Sequence, residues 1–335
     1  MNFPAAKYRM RKDHSNGKIR QISILHIKQL MYDHITVMAL EPALKSIGQF
    51  QVSSIKGKGQ SYARKHIHHW LFDKKLKYFV KLDIKKYFPS IDKRRLVRFI
   101  SGRINNQLLL RLIARLVISC TTGGIHIGSY LSQCLANYYL SYIYHKVEGL
   151  HHERKGKKHK DVEHMIFYMD DFLLLGRNKR KLQQAAKFIT EIAHNDLGLT
   201  IKQNYCVQKI LDFKSKDKDK GHWIDMIGFR FCKQGISLRK TIFRRAHRQF
   251  LRVKRSISMK KNISLKQCMA FVSYMGFLRQ TYAYKFFKKH NVYYYYEKAK
   301  EFVKFTLMIY ELGVPLAVTK EEKKALRYFK NVLKW

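Results

Sequence analysis

Residues Tyr168 to Asp171 read Tyr-Met-Asp-Asp and lie between two apolar stretches. Two adjacent acids flanked by strand-forming residues fit the tight turn of a β-hairpin that presents carboxylates at the end of a buried sheet. Taken alone, the pattern fits an ordinary polar hairpin tip equally well, because Asp is common in turns. A third acid, Asp83, ends another strand-like run that begins at Tyr78. The three acids together predict a catalytic carboxylate cluster.

Phosphoryl transfer is the chemistry that such a cluster supports. Transfer of a nucleotide to a 3′-hydroxyl uses two divalent cations about 3.5–4 Å apart, one on the attacking oxygen and one on the leaving group. Mg²⁺ takes carboxylate oxygens and keeps several waters, so two or three aspartates from different strands suffice. Asp83, Asp170 and Asp171 are therefore predicted to hold two Mg²⁺ ions, with Mn²⁺ as an alternative.

The composition is strongly basic along the whole chain. Lysine and arginine number 68 against 23 acidic residues, a formal net charge of +45. Self-repulsion of this size destabilises a free fold unless counter-charge is present, so a polyanion is the expected partner. No stretch reaches the ~20 apolar residues that span a membrane, and the first residues lack the apolar core of a signal peptide. We therefore expect a cytoplasmic protein with no membrane partner.

Length and composition favour two or three packed lobes. At 335 residues and 46% hydrophobic residues, the chain can bury a sizeable core. The five cysteines are isolated and no two have C-x-x-C spacing, so neither a zinc site nor a disulfide framework is expected.

Two segments of this chain resemble motifs A and C of reverse transcriptases. They are Asp83-x-x-x-Tyr87-Phe88-x-Ser90-Ile91 and Tyr168-x-Asp170-Asp171. The resemblance covers about residues 15 to 290 and implies an α+β, right-hand polymerase fold with fingers, a palm with an antiparallel sheet, and a helical thumb. The implied boundaries are fingers at 1–75, palm at 76–235 with a helical fingers insertion around 94–125, helical thumb at 236–290, and a C-terminal helical extension at 291–335. The implied activity is RNA-directed DNA synthesis.

A third segment narrows the resemblance to one branch of the family. Most reverse transcriptases have Gln-Gly-x-x-x-Ser-Pro at motif B, whereas this chain has Ile127-Gly128 and, after three residues, Ser132-Gln133. This variant resembles the enzymes of diversity-generating retroelements, which are related to the group II intron and retron-like reverse transcriptases of bacteria and phages and copy template adenines with errors. One good hydrogen-bonded contact is worth only about 1–3 kcal/mol of discrimination, so loss of the Gln lowers the cost of a mispair. All four residues are predicted to bind the nucleotide.

Other nucleotide-binding positions are also implied by the resemblance. Lys56, Lys58 and Arg64 surround a loop with two glycines, whose backbone can approach phosphates closely. A flexible solvated loop is the alternative. Phe88 is expected under the sugar as a gate against the ribose 2′-hydroxyl, and Tyr87 is expected in the core because successive strand residues point to opposite faces.

Catalytic and metal-binding positions follow by the same resemblance. Asp83, Ile84, Asp170 and Asp171 are the implied metal-binding positions, and the three aspartates are also the implied catalytic residues. Lys202 is the candidate general acid for the pyrophosphate leaving group. In a chain with so many lysines, a solvated side chain is the alternative interpretation of Lys202.

One predicted thumb helix carries an arginine stripe opposite an apolar stripe. The apolar face consists of Phe243, Ala246, Phe250, Val253 and Ile257. The nucleic-acid-binding candidates are Arg244, Arg248, Arg252 and Arg255. Such cations position a duplex without reading its sequence, while a solvated basic face is the alternative.

The implied partners are a template RNA, the RNA/cDNA duplex, dNTPs and a small basic helical accessory protein of the retroelement. Two other functions stay open at this point. A retron-like or phage-defence reverse transcriptase would use the same chemistry on a different template. A catalytically inactive nucleic-acid-binding scaffold is the other, although Asp83, Asp170 and Asp171 are all present.

Overall fold

A computed structural model describes residues 3–12, 17, 19–259 and 264–312. The chain divides into two compact units, Met1–Ile227 and Gly228–Trp335. The last part of the predicted C-terminal extension, 313–335, lies outside the described residues. Within the described residues, no helix combines the length and the apolar character that a membrane crossing requires.

Strands and helices alternate irregularly in the first unit. Its strands are β1 Lys7–Lys12, β2 Ile19–Ile24, β3 Tyr78–Asp83, β4 His151–Arg154, β5 Lys157–Lys160, β6 His164–Tyr168, β7 Asp171–Gly176, β8 Gln208–Lys209 and β9 Ile224–Met226. Its helices are α1 Ile27–Ala39, α2 Glu41–Leu44, α3 Gln60–Trp70, α4 Tyr87–Ser90, α5 Lys93–Ser101, α6 Gln107–Ile118, α7 Tyr130–Glu148 and α8 Lys179–Asn195.

A four-stranded sheet with the order β6-β7-β3-β8 lies at the centre of this unit, and its pairs are antiparallel. The predicted α+β class with an antiparallel sheet is therefore confirmed. Residues 172–176 of β7 are all buried, and the rings of Phe167 and Phe172 stack with their centroids 4.0 Å apart. Burial of one such side chain stabilises the fold by about 1.5–3 kcal/mol, which fixes the strand register.

Two helices that pack in the core support the sheet. Helix α8 buries Leu182, Ala185, Ala186, Ile189 and Ala193, a helical spacing that forms one apolar face. Helix α7 is buried on nearly all sides and joins the same core. Both helices begin at side-chain caps, since Ser129 accepts a hydrogen bond from the Ser132 N–H and Asn178 accepts from the Arg180 N–H.

Three local details differ from the sequence-based expectations. The predicted helical insertion around 94–125 consists of two helices, α5 and α6, because Asn106 caps a new helix. Tyr87 and Phe88 lie on the short helix α4 and not on a strand. Two hairpins, β1–β2 and β4–β5, were not expected, since their strands lack the apolar alternation that marks a half-buried strand.

The described residues of the second unit form a hairpin and four helices. Its elements are β10 Phe229–Cys232, β11 Gly235–Leu238, α9 Lys240–Ser258, α10 Leu265–Leu278, α11 Tyr284–His290 and α12 Val292–Glu311. Helix α10 packs against both α9 and α12. The core of the second unit includes Phe250 on α9 and Phe271 on α10, whose ring centroids lie 5.7 Å apart. The division between the units at 227/228 falls inside the segment that the sequence assigned to the palm.

Candidate active site

Three aspartates meet where β3 ends beside the start of β7. In the antiparallel register Asp83 lies directly opposite Asp171, and Asp170 is in the turn between β6 and β7. This turn is tight, because Met169 has a positive φ of 54°. The Ile84 N–H donates to the Asp170 carbonyl oxygen at 3.1 Å, which fastens the turn to the end of β3. Residues 87 positions apart in sequence thus come together as predicted.

Burial makes the carboxyl groups of Asp170 and Asp171 hard to ionise. Desolvation raises the pKa of Asp170, and the nearby charge of Asp83 raises it further. Desolvation also raises the pKa of Asp171, against the opposing effect of Lys81, whose Nζ lies 3.3 Å from Asp171 Oδ1. Like charges held together in a partly dry site favour a bound cation, so the electrostatics suit a metal-binding role.

Lys202 reaches this site from the segment after α8. Its Nζ lies 2.5 Å from Asp83 Oδ1, and its backbone N–H donates to the Asp83 carbonyl oxygen at 2.9 Å. The bridge between Ile84 and Ile201 holds the two segments in register. Lys202 therefore has the position that a proton donor near the carboxylates requires.

The donor set fits hard divalent ions, although it is not a closed cage. In the described parts of the chain, no three His, Cys, Asp or Glu side chains converge into a ready-made metal site. Carboxylate oxygens that leave several positions for water and substrate phosphates are nonetheless what Mg²⁺ uses in such sites. Asp83, Asp170 and Asp171 would hold the ions, and Ile84 has only its backbone carbonyl to contribute.

Arg20 is a third cation near the carboxylates, after Lys81 and Lys202, and sequence reasoning missed it. This side chain is exposed on β2, and its charge acts on Asp170, whose pKa it lowers together with Lys202. An exposed guanidinium beside a carboxylate cluster can bind an anionic triphosphate in bidentate fashion. No local motif marks Arg20, because the β1–β2 hairpin that positions it was not predicted.

Tyr87 lies in the core as predicted, on a short helix and not on a strand, while the role of Phe88 as a sugar gate stays a prediction. The Tyr87 side chain is 3% exposed and its hydroxyl donates to the Ala136 carbonyl oxygen at 2.7 Å. Phe88 is half-buried, and its carbonyl oxygen accepts from the Ile125 N–H at 3.1 Å. Gly124 packs against this backbone, since a Cβ there would lie 2.0 Å from the Phe88 carbonyl oxygen. The turn that carries Phe88 is thus rigidly supported.

The Ile127-Gly128 loop is tied to strand β2. The Ser23 N–H donates to the Ile127 carbonyl oxygen at 2.8 Å, and Gly128 has a φ of 110°. A Cβ at Gly128 would lie 3.0 Å from the Ser23 carbonyl oxygen, so glycine is needed here both for conformation and for space. The Ile127 side chain is half-buried and Gln133 likewise, whereas Ser132 is buried in the first turn of α7.

A buried polar network that sequence reasoning missed supports this loop. The His126 ring nitrogens contact Ser23 Oγ at 2.9 Å and Ser119 Oγ at 3.2 Å. The Ser129 hydroxyl donates to Asp33 Oδ2 at 2.6 Å. Partly satisfied buried polar groups are costly, whereas a fully connected network gives a unique geometry. The Ile127-Gly128 loop is therefore held in one conformation by residues outside it.

Acid pH should weaken this network. Burial lowers the pKa of His126 from 6.5 to about 4, and the charge of Lys93 adds to the effect. Because the folded-state pKa lies below the unfolded one, the unfolded chain binds the proton first. The stability that is present at neutral pH is then lost as the pH falls below 6.5. We expect protonation of His126 to lower the free energy of unfolding by about 2 kcal/mol at pH 5 relative to pH 7. Urea unfolding at the two pH values measures this difference.

The control for this prediction is His126→Gln, which cannot titrate. Its unfolding free energy should fall less between pH 7 and pH 5 than that of the wild type. A residual acid sensitivity is expected from His164, whose pKa burial also lowers to about 4. Equal acid sensitivity in the variant and the wild type would contradict the role of His126.

The three predicted fingers cations differ in their surroundings. Lys56 is exposed and Arg64 is half-buried. The Lys58 ammonium donates to the carbonyl oxygens of Gly48 at 3.3 Å and Gln49 at 2.8 Å, and burial lowers its pKa. Lys58 therefore stabilises the loop backbone, so of the three, Lys56 remains the best placed to meet a phosphate.

The predicted arginine stripe lies on the surface of α9. Arg244, Arg248, Arg252 and Arg255 are all exposed, whereas Ala246, Phe250 and Val253 are buried. The amphipathic pattern predicted from the sequence is present, and the role of the stripe in nucleic-acid binding stays a prediction.

The sequence profile of the family described as reverse transcriptase (RNA-dependent DNA polymerase) matches residues 10–231 of this chain. The matched region includes the three aspartates and Lys202. No curated protein sequence matches the chain.

Several solved structures of telomerase from Candida tropicalis are similar in fold. The apo enzyme superposes with a TM-score of 0.51 at 11% identity over 97% of this chain and 69% of its own. A form truncated from its C-terminal domain gives a TM-score of 0.50 at 13% identity. The match covers 71% of this chain and 55% of that telomerase chain. A complex with a TWJ fragment of telomeric RNA gives 0.51 at 10% identity, over 98% and 64% of the two chains. At these identities the likeness shows the fold alone.

Proposed function

This chain belongs to the reverse transcriptase family, and we propose that it synthesises DNA on an RNA template by two-metal phosphoryl transfer. The observation that carries the proposal is the antiparallel register that sets Asp83 opposite Asp171, with Asp170 in the adjoining turn. Three carboxylates at one sheet end give the oxygen donors that this chemistry needs.

The side chains around the carboxylates have separate roles in this scheme. Asp83, Asp170 and Asp171 would hold two Mg²⁺ ions, which when bound would make the attacking 3′-hydroxyl more acidic and stabilise charge on the leaving group. Lys202 donates a proton to the pyrophosphate, and Arg20 binds the triphosphate of the incoming nucleotide. Phe88 lies under the sugar, and the Ile127-Gly128 loop lies against the base pair.

The proposed lobes follow the implied boundaries. Residues 1–75 form the fingers, 76–235 the palm with the insertion around 94–125, 236–290 the thumb, and 291–335 an extension. The exposed arginines of α9 then contact the phosphates of the RNA/cDNA duplex. One neighbour in fold was solved with a fragment of telomeric RNA, and an RNA partner suits the net charge of +45.

Primer extension tests this proposal. The purified chain receives a primed RNA template, dNTPs and Mg²⁺, and the products are sequenced. We expect cDNA complementary to the RNA, dependent on Mg²⁺ and absent when EDTA is added. A chain that binds RNA yet extends no primer on any template would instead be the inactive scaffold.

We further propose that the enzyme belongs to a diversity-generating retroelement, with its template RNA and a small basic helical accessory protein as partners. The apolar Ile127 in place of a polar side chain supports this assignment. Restoring a polar contact should restore discrimination of about 1–3 kcal/mol. We expect Ile127→Gln to lower the error frequency opposite template adenine about tenfold, as measured by sequencing the cDNA.

The matched control for this prediction is Ile118→Gln, since Ile118 is 64% exposed at the end of α6. Its errors should equal those of the wild type. An unchanged error spectrum in Ile127→Gln would contradict the proposed role of Ile127. Faithful copying by the wild type would instead move the enzyme to the retron-like or phage-defence class.

Phe88→Ala should relax the choice of sugar. In the proposed arrangement the Phe88 ring fills the space beside the 2′ position of the sugar. The 2′-hydroxyl of a ribonucleotide then overpacks the site, which weakens ribonucleotide binding by about 1–3 kcal/mol. Removing the ring is expected to raise ribonucleotide use relative to deoxynucleotides about tenfold or more. Phe213→Ala, at a ring that is 53% exposed, is the control. Single-nucleotide incorporation kinetics measure the ratio, and equal ratios in both variants would contradict the gate.

A further inference from the structure

The hairpin β4–β5 is a strongly basic element of the described surface of the first unit. Residues 151–160, here called the basic hairpin, contain five lysines or arginines, three histidines and one acid, Glu153. All of them are exposed except His152, which is half-buried. The hairpin joins α7 to β6 and plays no part in the carboxylate site.

One cross-strand pair of this hairpin joins like charges at its tip, although Glu153 lies opposite Lys158 nearer its base. Two-stranded hairpins without an apolar face are marginally stable in water. Arg154 lies directly opposite Lys157, and like charges at such positions destabilise a strand pair. Lys155 also has a positive φ of 52°. An anion bound along the hairpin would remove the repulsion, so the element suits a polyanionic partner.

Polar contacts at its base link the hairpin to neighbouring basic segments. His152 Nδ1 lies 2.5 Å from Asp161 Oδ1, and the same carboxylate lies 4.0 Å from Lys181 Nζ at the start of α8. Arg177 contacts Asp73 at 3.5 Å and Glu163 at 3.1 Å. The nearby acids are thus occupied at the base, which leaves the outer surface cationic.

These contacts link the basic hairpin to residues 73–77 and 177–181, and the exposed cations of these three segments are here called the distal basic surface. Apart from the ion-paired Arg177, they are Lys74, Lys75, Lys77, Arg154, Lys155, Lys157, Lys158, Lys160, Lys179 and Arg180. Glu153 is the one exposed acid among these described segments.

The distal basic surface lies at the far end of the sheet from the catalytic aspartates. Strand β7 runs from Asp171 at the site to Gly176, and Lys77 is bonded to the Gly176 carbonyl oxygen. At about 3.3 Å per residue, five residue steps separate the two ends by about 16 Å. A nucleic acid bound to the distal basic surface therefore makes contacts that are separate from those at the carboxylate site.

We propose that the distal basic surface binds the phosphate backbone of a double-stranded segment of RNA. Dense lysines and arginines suit backbone phosphates, and the basic hairpin carries no Phe, Tyr or Trp on which single-stranded bases could stack. The choice of RNA as the polyanion rests on the proposed function. The surface holds folded RNA while its template strand is copied elsewhere.

The test compares two variants that each lose five charges. The first is Arg154→Gln, Lys155→Asn, Lys157→Gln, Lys158→Gln and Lys160→Gln, where Asn suits the left-handed backbone of Lys155. The control is Arg94→Gln, Arg98→Gln, Arg111→Gln, Arg115→Gln and Lys187→Gln, all at exposed positions on α5, α6 and α8. Fluorescence anisotropy measures binding of a blunt RNA duplex between about 50 and 200 mM salt.

We expect the first variant to bind the duplex at least about tenfold more weakly at low salt, with a slope of log affinity against log salt shallower by about 3. The control should stay within about threefold of the wild type. A third variant that exchanges lysine and arginine at the five hairpin positions keeps the charge and should restore binding, which separates charge loss from misfolding.

Equal losses in the first variant and the control would overturn the proposal, as would unchanged duplex binding. Retained duplex binding with lost binding to phosphatidylglycerol vesicles would show a lipid surface and would also overturn it. Extension of a short primed template by the first variant should match the wild type. If the wild type binds duplex through this surface yet extends no primer, the proposed polymerase function fails and the distal basic surface stands.

Discussion

Asp170→Asn should abolish nucleotide addition and at the same time stabilise the protein in the absence of divalent ions. Loss of one carboxylate from a two-metal site removes several kcal/mol of transition-state stabilisation, so the rate should fall about 1,000-fold or more. The folded-state pKa of Asp170 is raised by burial and by Asp83. The folded site favours the protonated carboxyl of Asp170. The charged form that Asp170 takes at neutral pH therefore lowers the stability of the folded state. The neutral amide removes this penalty.

Three measurements check both halves of the prediction. Primer extension gives the rate, and thermal melting in EDTA gives the stability, which should be higher in the variant. Adding Mg²⁺ should raise the melting temperature of the wild type, because an ion that binds only the folded state stabilises it. The rise should be smaller in Asp170→Asn.

Asp196→Asn is the matched control for Asp170→Asn. Asp196 is exposed and accepts a hydrogen bond from the Tyr142 hydroxyl at 2.8 Å. This variant should extend primers normally and respond to Mg²⁺ as the wild type does. Normal extension by Asp170→Asn would refute the assignment of the site, whereas loss of both activity and stability would indicate a structural role for Asp170.

Lys202→Met should lower kcat about 100-fold or more with a small change in KM. Proton transfer by a positioned side chain contributes about 10²–10⁴-fold to a rate, and Lys202 is held beside the carboxylates by its 2.5 Å contact with Asp83. Lys202→Arg keeps the charge, yet its guanidinium does not release a proton. The arginine variant should therefore keep KM near the wild-type value and stay slow, as single-turnover extension will measure.

The control is Lys209→Met, because Lys209 forms a similar ion pair, 2.5 Å from Asp217, on the edge strand β8. Its kcat should equal that of the wild type. Full activity of Lys202→Arg would show that Lys202 acts through its charge alone, which contradicts the general-acid role.

Local patterns were sufficient for the elements that present the carboxylates. Residues 165–167 and 172–175 are apolar and strand-forming, and the acids between them fit only a turn. The mostly apolar, strand-forming run from Tyr78 to Leu82 likewise predicted a strand that ends at Asp83. The amphipathic helix α9 was predictable because its period of apolar residues matches its buried face.

Long-range contacts account for what the sequence did not predict. The Ser23 link to Ile127 and the approach of Arg20 to Asp170 depend on the β1–β2 hairpin, whose strands are mostly exposed and polar. Nothing local to Lys58 indicates that it bonds the carbonyl oxygens of Gly48 and Gln49. Tyr87 was assigned to the core by strand alternation, and its burial arises instead from a helical turn that closes on Ala136.

The most direct measurement is anomalous diffraction from crystals of the chain with a primed RNA template, an unreactive dNTP analogue and Mn²⁺. Two-metal transfer predicts two Mn²⁺ ions about 3.5–4 Å apart, bound by Asp83 and Asp170 and touching the triphosphate. The same experiment with Asp170→Asn should show loss of the ions. A bound dNTP analogue with no Mn²⁺ at these aspartates, or with ions at other residues, would contradict the proposed polymerase site.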